Sequence, residues 1–479
     1  MEYVLWCLLG TVYGMIIGIM PMAGATTGLL TVFALSDQFL GNPYLGVVFL
    51  TSLVAASSTG DSFTSILTGI PGSNTTAASI IDGYQMARQG QAARAIGVAI
   101  MDSTINGIIW GLVAFALMPL YAKLIMVFGI PEFAAFMLLA LSCVGFVTSR
   151  NVILSIAAIG LGCVLGLVGT DPATAVPRWT LGWEYLEDGI QIIPLIAGLF
   201  GIPEVLSGFS NKVSKPAPIT NYWQQLCQGF RDCFRYWRDM MRGGTIGFFT
   251  GLLPGVGGTI GDIMAYGATV ARHPQEKFGN GNVRGLLGCE GANNAQKAGS
   301  LVPTVLLGVP AAPFAAVMMA IFVYFGIELG SPQLLKDDAF FWSLGGAFIA
   351  STILVFFIAM FTTKIVVKIL EIPYWIYAVT ILSIIVWSCF QYTGTINDLY
   401  ILILCSILGI FCKWAHLSRP AVMVAFILID RLENYSQQML KLYDLPDLVT
   451  RPIFMTLIVA AIGLFIYSIF RPNRGLAYY

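Results

Sequence analysis

The residues best suited to chemistry in this chain are short and polar. Residues 69–76 read Gly-Ile-Pro-Gly-Ser-Asn-Thr-Thr, a run that suits a break in the backbone followed by a new helix start. The first turn of such a helix offers free amide groups and the positive end of the helix dipole, which together attract a carboxylate or a phosphate. Gly72, Ser73, Asn74, Thr75 and Thr76 are therefore candidates to hold and orient an anionic substrate. The run Leu253 to Thr259 can act likewise through Pro254, Gly255, Gly257, Gly258 and Thr259, as can Pro21, Gly24, Thr26 and Thr27 near the start of the chain. A second set is rich in oxygen: Glu290, Asn293 and Asn294, with Ser57, Ser58 and Thr59 at a related position. Carboxylate, amide and freed carbonyl oxygens are ligands for a hard cation, and a pair of Na+ sites is the expectation. Asp61, added to the cation set, and Lys297, added to the substrate set, are ionisable residues inside apolar sequence.

The elements that must position these residues repeat. Gly14, Gly18, Pro21, Gly24, Thr26 and Gly28 lie over Gly247, Gly251, Pro254, Gly257, Thr259 and Gly261 at a constant offset of 233. Gly60, Gly69, Ile70 and Pro71 match Gly299, Gly308, Val309 and Pro310 at an offset of 239. Gly and Pro recurring in one order within very apolar sequence indicate a membrane transporter built from two repeats, whose interrupted helices meet at a binding site. Close helix packing through small residues is the plainer explanation of any single glycine. Clusters repeated in both halves favour the site.

Composition sets the class. Of 479 residues, 57% are hydrophobic and only 10% charged, against about 25% charged in soluble proteins. The chain is read as an all-α polytopic membrane protein, with ten to twelve membrane elements at about 20 residues per spanning helix. Lys plus Arg equals Asp plus Glu at 25 each, which gives a nucleic-acid partner no electrostatic support. The cysteines stand mostly in apolar surroundings and act as small hydrophobes. His273 and His416 both fall in polar connections, so neither a catalytic His dyad nor a haem site is expected. No Ser/His/Asp set or paired catalytic carboxylates stand out, so the chain is not read as an enzyme. The N-terminus lacks the basic region of a signal peptide, and its apolar stretch is expected to be retained.

Cytoplasmic loops are enriched in Lys and Arg. Lys212, Lys215, Arg231, Arg235, Arg238 and Arg242 place the central connection inside, and tracing back puts Arg150, Arg94 and Arg88 inside as well. In the second half the charges change sides: Arg272, Lys277 and Arg284 follow its first motif, and Glu328, Asp337 and Asp338 follow its second. Exchanged charge at matched positions predicts inverted repeats with discontinuous helices. Each first motif, near 4–35 and 243–270, is then a re-entrant hairpin of half-helices, and the C-terminus with Arg471 and Arg474 lies inside. The expected organisation is a first repeat over 1–207, a cytoplasmic amphipathic connector over 208–242 and a second repeat over 243–479. Within the connector, Trp223, Leu226, Phe230, Phe234 and Trp237 recur at helical spacing between arginines, as in a helix lying at the membrane surface.

These residues resemble the large membrane subunit of the tripartite tricarboxylate transporters over nearly the whole chain. The resemblance is carried by Ser-Ile-Leu-Thr-Gly-Ile-Pro-Gly from Ser65, Asp-Gly-Tyr-Gln-Met-Ala-Arg-Gln-Gly from Asp82 and Gly-Leu-Leu-Pro-Gly-Val-Gly from Gly251. Glu-Gly-Ala-Asn-Asn-Ala from Glu290, Val-Pro-Thr-Val-Leu-Leu-Gly-Val-Pro from Val302 and the Arg-Pro at Arg419 extend it. It implies a cation-coupled importer of carboxylates in the bacterial inner membrane, working with a small membrane subunit and a periplasmic binding protein. Na+ is favoured over H+ as the coupling ion, no cofactor is expected, and one bundle is expected to move against a scaffold in an elevator-like cycle. Tricarboxylic, dicarboxylic and aromatic acids all remain open as substrate.

Four departures from the family pattern bear on the site. Met22 follows Pro21 where a Gly is usual, and Ala311 follows Pro310 where a Gly is usual, making a left-handed turn there less accessible. Asp61 replaces a Gly before Ser62, and Lys297 replaces a small or uncharged residue. Ionisable residues at membrane depth are functional candidates by default. Asp61 and Lys297 either pair across the site or leave Lys297 to meet substrate directly, and the competing arrangement has Lys297 reaching to the cytoplasmic face. A non-carboxylate solute on the same scaffold, and a channel, are the alternative functions. The Asp82 to Gly90 run suggests no chemistry, and its Arg88 reads as a cytoplasmic anchor.

Overall fold

The structure is a computed structural model that describes residues 1–39, 41–125, 127–148, 152–171, 174–210, 219, 221–255, 260–331 and 333–470. Arg150, Lys212, Lys215, Gly257, Gly258, Thr259, Arg471 and Arg474 lie outside the described residues, as does the side chain of Asn74.

Helices α1 (Glu2–Ile19), α2 (Gly24–Val32), α3 (Pro43–Thr68) and α4 (Ala92–Ile125) open the chain. Helices α5 (Ile130–Thr148), α6 (Val152–Gly166), α7 (Ile192–Ile196) and α8 (Ile202–Ser210) complete its first half. Then come α9 (Tyr222–Arg235), α10 (Trp237–Gly251), α11 (Gly261–Arg272), α12 (Val283–Leu307) and α13 (Pro313–Tyr324). The chain ends in α14 (Asp338–Leu370), α15 (Tyr374–Thr393), α16 (Asn397–Trp414), α17 (Arg419–Leu442), α18 (Leu445–Val449) and α19 (Pro452–Phe470). Among the described residues, seven helices are long and apolar enough to cross a membrane, and four shorter ones are also apolar. The protein is an all-α integral membrane protein. Its β structure among the described residues is one short antiparallel pairing, Gly169–Thr170 with Pro177–Arg178, which Arg178 ties to Glu433 of α17 at 2.6 Å.

Local sequence explains the helix ends. Pro43 and Pro313 sit in the first turns of α3 and α13, where the missing N–H costs nothing. Asn282, Asp337 and Ser418 cap α12, α14 and α17 through their side chains. Gly69 and Gly308 end α3 and α12 with φ of 71° and 63°, left-handed values suited to glycine.

Packing follows the repeat. Gly10, Gly14 and Gly18 of α1 press on α3 so closely that a β-carbon would sit 2.4, 2.3 and 2.4 Å from the carbonyl oxygens of Phe49, Leu53 and Ser57. At Gly243, Gly247 and Gly251 of α10 it would sit 2.2, 2.4 and 2.3 Å from those of Gly288, Ala292 and Gln296 of α12. The offsets of 233 and 239 carry one seam onto the other, so the periodic glycines are first of all packing residues. Around both seams α4, α9, α11 and α14 form an inner group, while α5, α6, α17 and α19, and α7, α8, α15 and α16, pack outside it. Short helices α2 and α13 bridge the two groups.

Two expectations are altered. The first arm of the hairpin expected near 4–35 is α1, an unbroken helix of 18 residues that is long and apolar enough to cross a membrane, its glycines serving the seam. The surface helix expected over 221–241 bends at Tyr236 (φ −111°, ψ 31°), and α10 starts at Trp237, running without interruption past residue 243.

Candidate functional site

The break after α3 is held by hydroxyl groups. Ile70 N donates to Thr68 Oγ1 at 3.2 Å, Gly72 N to Ser65 Oγ at 3.1 Å, and Ser73 N to Thr76 Oγ1 at 3.3 Å. In the second half Ala311 N donates to Thr304 Oγ1 at 3.4 Å, the same bond displaced by 239 residues. The turn at Pro21 lies against the first break: Met22 N donates to Pro71 O at 3.3 Å, and a β-carbon on Gly24 would come 2.7 Å from Ser73 Cβ. The two interruptions of the first half thus meet.

Glycine at these breaks has two distinct uses. Met22 takes φ 64°, the left-handed value of its counterpart Gly255 at 71°, so the missing glycine leaves the turn in place at the expense of strain. After the other proline the expected left-handed turn is absent: neither Gly72 nor Ala311 has positive φ, and that role falls to Gly69 and Gly308. Gly72 is needed for close approach, because a β-carbon there would lie 2.5 Å from Asp61 Cα and O. Ala311 corresponds to it in the half where Ser300 replaces Asp61.

Beside this junction lies a buried polar network shared by both halves. Lys297 of α12 is 2% exposed and does not reach the surface. Its ammonium donates to Ser57 Oγ at 2.9 Å and Val54 O at 3.4 Å, and lies 3.9 Å from Asp61 Oδ2. Ser73 Oγ donates to the same Asp61 oxygen at 2.6 Å, leaving Oδ1 without a hydrogen bond among the described residues. Thr75 Oγ1, in contact with Ser73 Oγ at 2.8 Å, donates to Asn293 Oδ1 at 3.3 Å, and Asn293 Nδ2 donates to Ser58 O at 3.2 Å. Ser62 Oγ donates to Glu290 Oε2 at 2.7 Å. Asn294 Nδ2 donates to Ser103 O at 3.2 Å, and Thr59 Oγ1 is 3.4 Å from Ser103 Oγ.

The structure therefore joins Gly24, Ser57, Ser58, Asp61, Gly72, Ser73, Thr75, Thr76, Asn293 and Lys297 around one junction, with Glu290 linked to α3 beside it. Thr59 and Asn294 turn towards α4. Thr26 and Thr27, in the first turn of α2, make no hydrogen bond to this network among the described residues. Gly255, next to Pro254, abuts Val144 of α5, where a β-carbon would be 2.7 Å from Cγ2.

Three residues escaped the sequence reading. Asp262, in the first turn of α11, is 2% exposed with both carboxylate oxygens unpartnered among the described residues, and both polar atoms of the fully buried Gln296 are likewise unpartnered. Asp102 of α4 is fully buried, with Oδ1 accepting from Asn106 Nδ2 at 2.6 Å. An acidic residue in apolar sequence was the available signal for both aspartates. Unpaired oxygens of this kind, with Asp61 Oδ1 and Asn294 Oδ1, are hard-cation ligands in chemical type.

Asp82 explains the run that suggested no chemistry. Its Oδ1 accepts backbone N–H groups from Gly279, Gly281 and Asn282 at 2.8–2.9 Å, and its Oδ2 accepts from Tyr266 at 3.0 Å. The carboxylate locks the loop between α11 and α12 and so fixes where α12 begins.

Comparison with known proteins identifies the family. The sequence profile described as "Tripartite tricarboxylate transporter TctA family" matches residues 4–424. An Agrobacterium vitis protein described as "Uncharacterized 52.8 kDa protein in TAR-I ttuC' 3'region" is 28% identical over 465 residues, covering 96% of this chain and 91% of the relative. A second from that organism, "Uncharacterized protein in TAR-II ttuC' 3'region", is 27% identical over 216 residues, covering 44% of this chain and 89% of the relative. No solved structure matches the chain. With a profile match over most of its length, the chain belongs to the tripartite tricarboxylate transporter TctA family, as the large membrane subunit of such a transporter.

Proposed function

We propose that this subunit imports small organic carboxylates across the bacterial inner membrane by alternating access, with substrate delivered by a periplasmic binding protein and a small membrane subunit as partner. The observation that carries the reading is a buried ammonium from the second half placed against the broken helix of the first. Lys297 has three donors, two of them used by Ser57 Oγ and Val54 O. The third faces a competition between Asp61, held at the long distance of 3.9 Å, and an incoming carboxylate. A substrate carboxylate would take the ammonium and the amides after Gly72 together, a charge-assisted contact stronger than a neutral hydrogen bond.

Na+ is the coupling ion in this reading, held by oxygen donors among Ser57, Ser58, Thr59, Asp61, Glu290, Asn293 and Asn294, with Asp262 and Gln296 added. The halves, 1–207 and 243–479, are inverted repeats joined by the connector; the exchanged loop charges support this. The inner group, which holds both glycine seams, moves against the outer helices in an elevator-like step.

The test is uptake of labelled tricarboxylic, dicarboxylic and aromatic acids into proteoliposomes holding both membrane subunits, with and without the binding protein and an inward Na+ gradient. Saturable, gradient-driven uptake of one class, lost in Lys297→Met, is expected. Uptake that does not saturate would indicate a channel, and wild-type uptake in Lys297→Met would remove the lysine from the substrate site.

A further inference from the structure

A second concentration of charge lies away from the buried network, at the joint between α9 and α10. Arg235, Arg238 and Arg242 meet Arg272 and His273 from the end of α11 and Arg284 from the first turn of α12, around a cleft of about 410 Å3. The one carboxylate in its lining, Asp239, is 4% exposed and shared by Arg242 at 2.8 Å, His273 at 3.0 Å and Arg284 at 3.6 Å. Glu276 approaches Arg284 Nε at 3.4 Å. Even with both acids counted, the five arginines leave at least three positive charges in excess. Arg235, Arg238 and Arg272 have no ion pair among the described residues. Arg235 and Arg238 instead lie over the rings of Tyr236 and Trp237, at 5.4 and 5.7 Å.

We propose that this cleft binds the phosphate of an anionic ligand. Guanidinium groups converge there from four helices, α9, α10, α11 and α12, and arginine forks match phosphate oxygens bidentately. Concentrated positive charge at a membrane surface also exceeds what loop orientation requires. The source favoured by the surroundings is a phospholipid headgroup: Trp223, Phe234 and Trp237 on α9 and α10 are more than half exposed, as aromatic anchors at the headgroup level are, while Leu226 and Cys233 of α9 are buried. Free phosphate is the alternative source of the same chemistry. Because the lining comes from the end of α9, the start of α10, the end of α11 and the start of α12, a bound phosphate would clamp both ends of the second hairpin to the seam helix behind it. The proposal concerns binding alone and stands independently of the transport reading.

The experiment uses the purified full-length chain in neutral detergent. Its thermal unfolding is followed while phosphatidylglycerol, phosphatidylcholine or inorganic phosphate is added, and retained lipid is read by native mass spectrometry. Wild type is expected to retain phosphatidylglycerol over phosphatidylcholine and to be stabilised by it. R235Q/R238Q/R272Q removes three unpaired, exposed charges and is expected to need about a hundredfold more phosphatidylglycerol for the same shift. R88Q/R231Q/K277Q, which removes as much charge from exposed positions outside the cleft, is expected to behave as wild type. Stabilisation by inorganic phosphate that displaces the lipid would support the site with a soluble source. Equal losses in the two triple variants would mean diffuse attraction and overturn the proposal. So would a wild type that neither prefers phosphatidylglycerol nor responds to phosphate, a result that does not depend on either variant folding.

Discussion

At the residue scale, Asp61 and Lys297 depend on one another. Both are buried, and removing one partner of a buried pair leaves the other uncompensated, at a cost of about 3–5 kcal/mol. Ser57 and Ser73 share the load here, so Asp61→Asn is expected at the low end of that range and Lys297→Met likewise. The double variant, with neither charge, should recover most of the stability without recovering transport, since the counter-charge proposed for the substrate is gone. Thermal unfolding together with uptake separates the two effects. Recovery of transport in the double variant would show that the pair is structural. Asp82 gives a second case: Asp82→Asn keeps the shape but weakens the acceptor for three backbone N–H groups, at about 2 kcal/mol. Faster hydrogen exchange confined to residues 278–286 would be its signature. Asp61 and Lys297 were visible in the sequence because a charge stands out in apolar surroundings. Asp82 was not, because its partners, three backbone N–H groups and the Tyr266 hydroxyl, lie more than 180 positions away, which no local pattern announces.

At the element scale, the turn at Pro21 stores strain that its counterpart avoids. A non-glycine residue in the left-handed region costs about 1–2 kcal/mol, and Met22 at φ 64° is such a residue. Met22→Gly is expected to be tolerated, the relief offset in part by added freedom of the unfolded chain. Met22→Val, branched at Cβ, should lose about a further 1 kcal/mol in thermal unfolding. The seams are less forgiving: Gly247→Ala places a carbon 2.4 Å from Ala292 O, with backbone on both sides and no side chain to yield. A sharp fall in folded yield is expected, read by size-exclusion chromatography. Helix positions from α4 to α8 were legible in the sequence because apolar runs of fixed length end at Gly, Pro and charge. The purpose of the glycines was less so. Gly14 and Gly247 pack helices, Gly69 and Gly308 turn the chain, and Gly72 admits Asp61, yet all five are the same letter. Only the distances around them tell packing, turning and close approach apart.

At the scale of the whole molecule, the broken helix of the first half meets α12 of the second in one buried network. The network is nonetheless asymmetric, since Asp61 corresponds to Ser300 and Lys297 to Ser58. Each half thus supplies one member of the Asp61–Lys297 pair, and neither half alone completes it. In the elevator-like step proposed above, substrate held there reaches either side as the inner group moves against the outer one. Contacts differ accordingly: Thr11 Oγ1 donates to Ser351 Oγ at 2.8 Å within the inner group, whereas Arg431 of α17 reaches from the outer group to Leu307 O at the end of α12, at 3.4 Å. In a cysteine-free background, a disulfide between Thr11→Cys and Ser351→Cys should leave uptake intact, because the proposed step carries those two elements together. A short thiol cross-linker between Leu307→Cys and Arg431→Cys should stop uptake and release it on reduction, with uptake before cross-linking as the control for the substitutions themselves. Undiminished uptake by the protein cross-linked between α12 and α17 would mean that the two groups do not move as bodies. Access would then have to alternate through the short bridges α2 and α13.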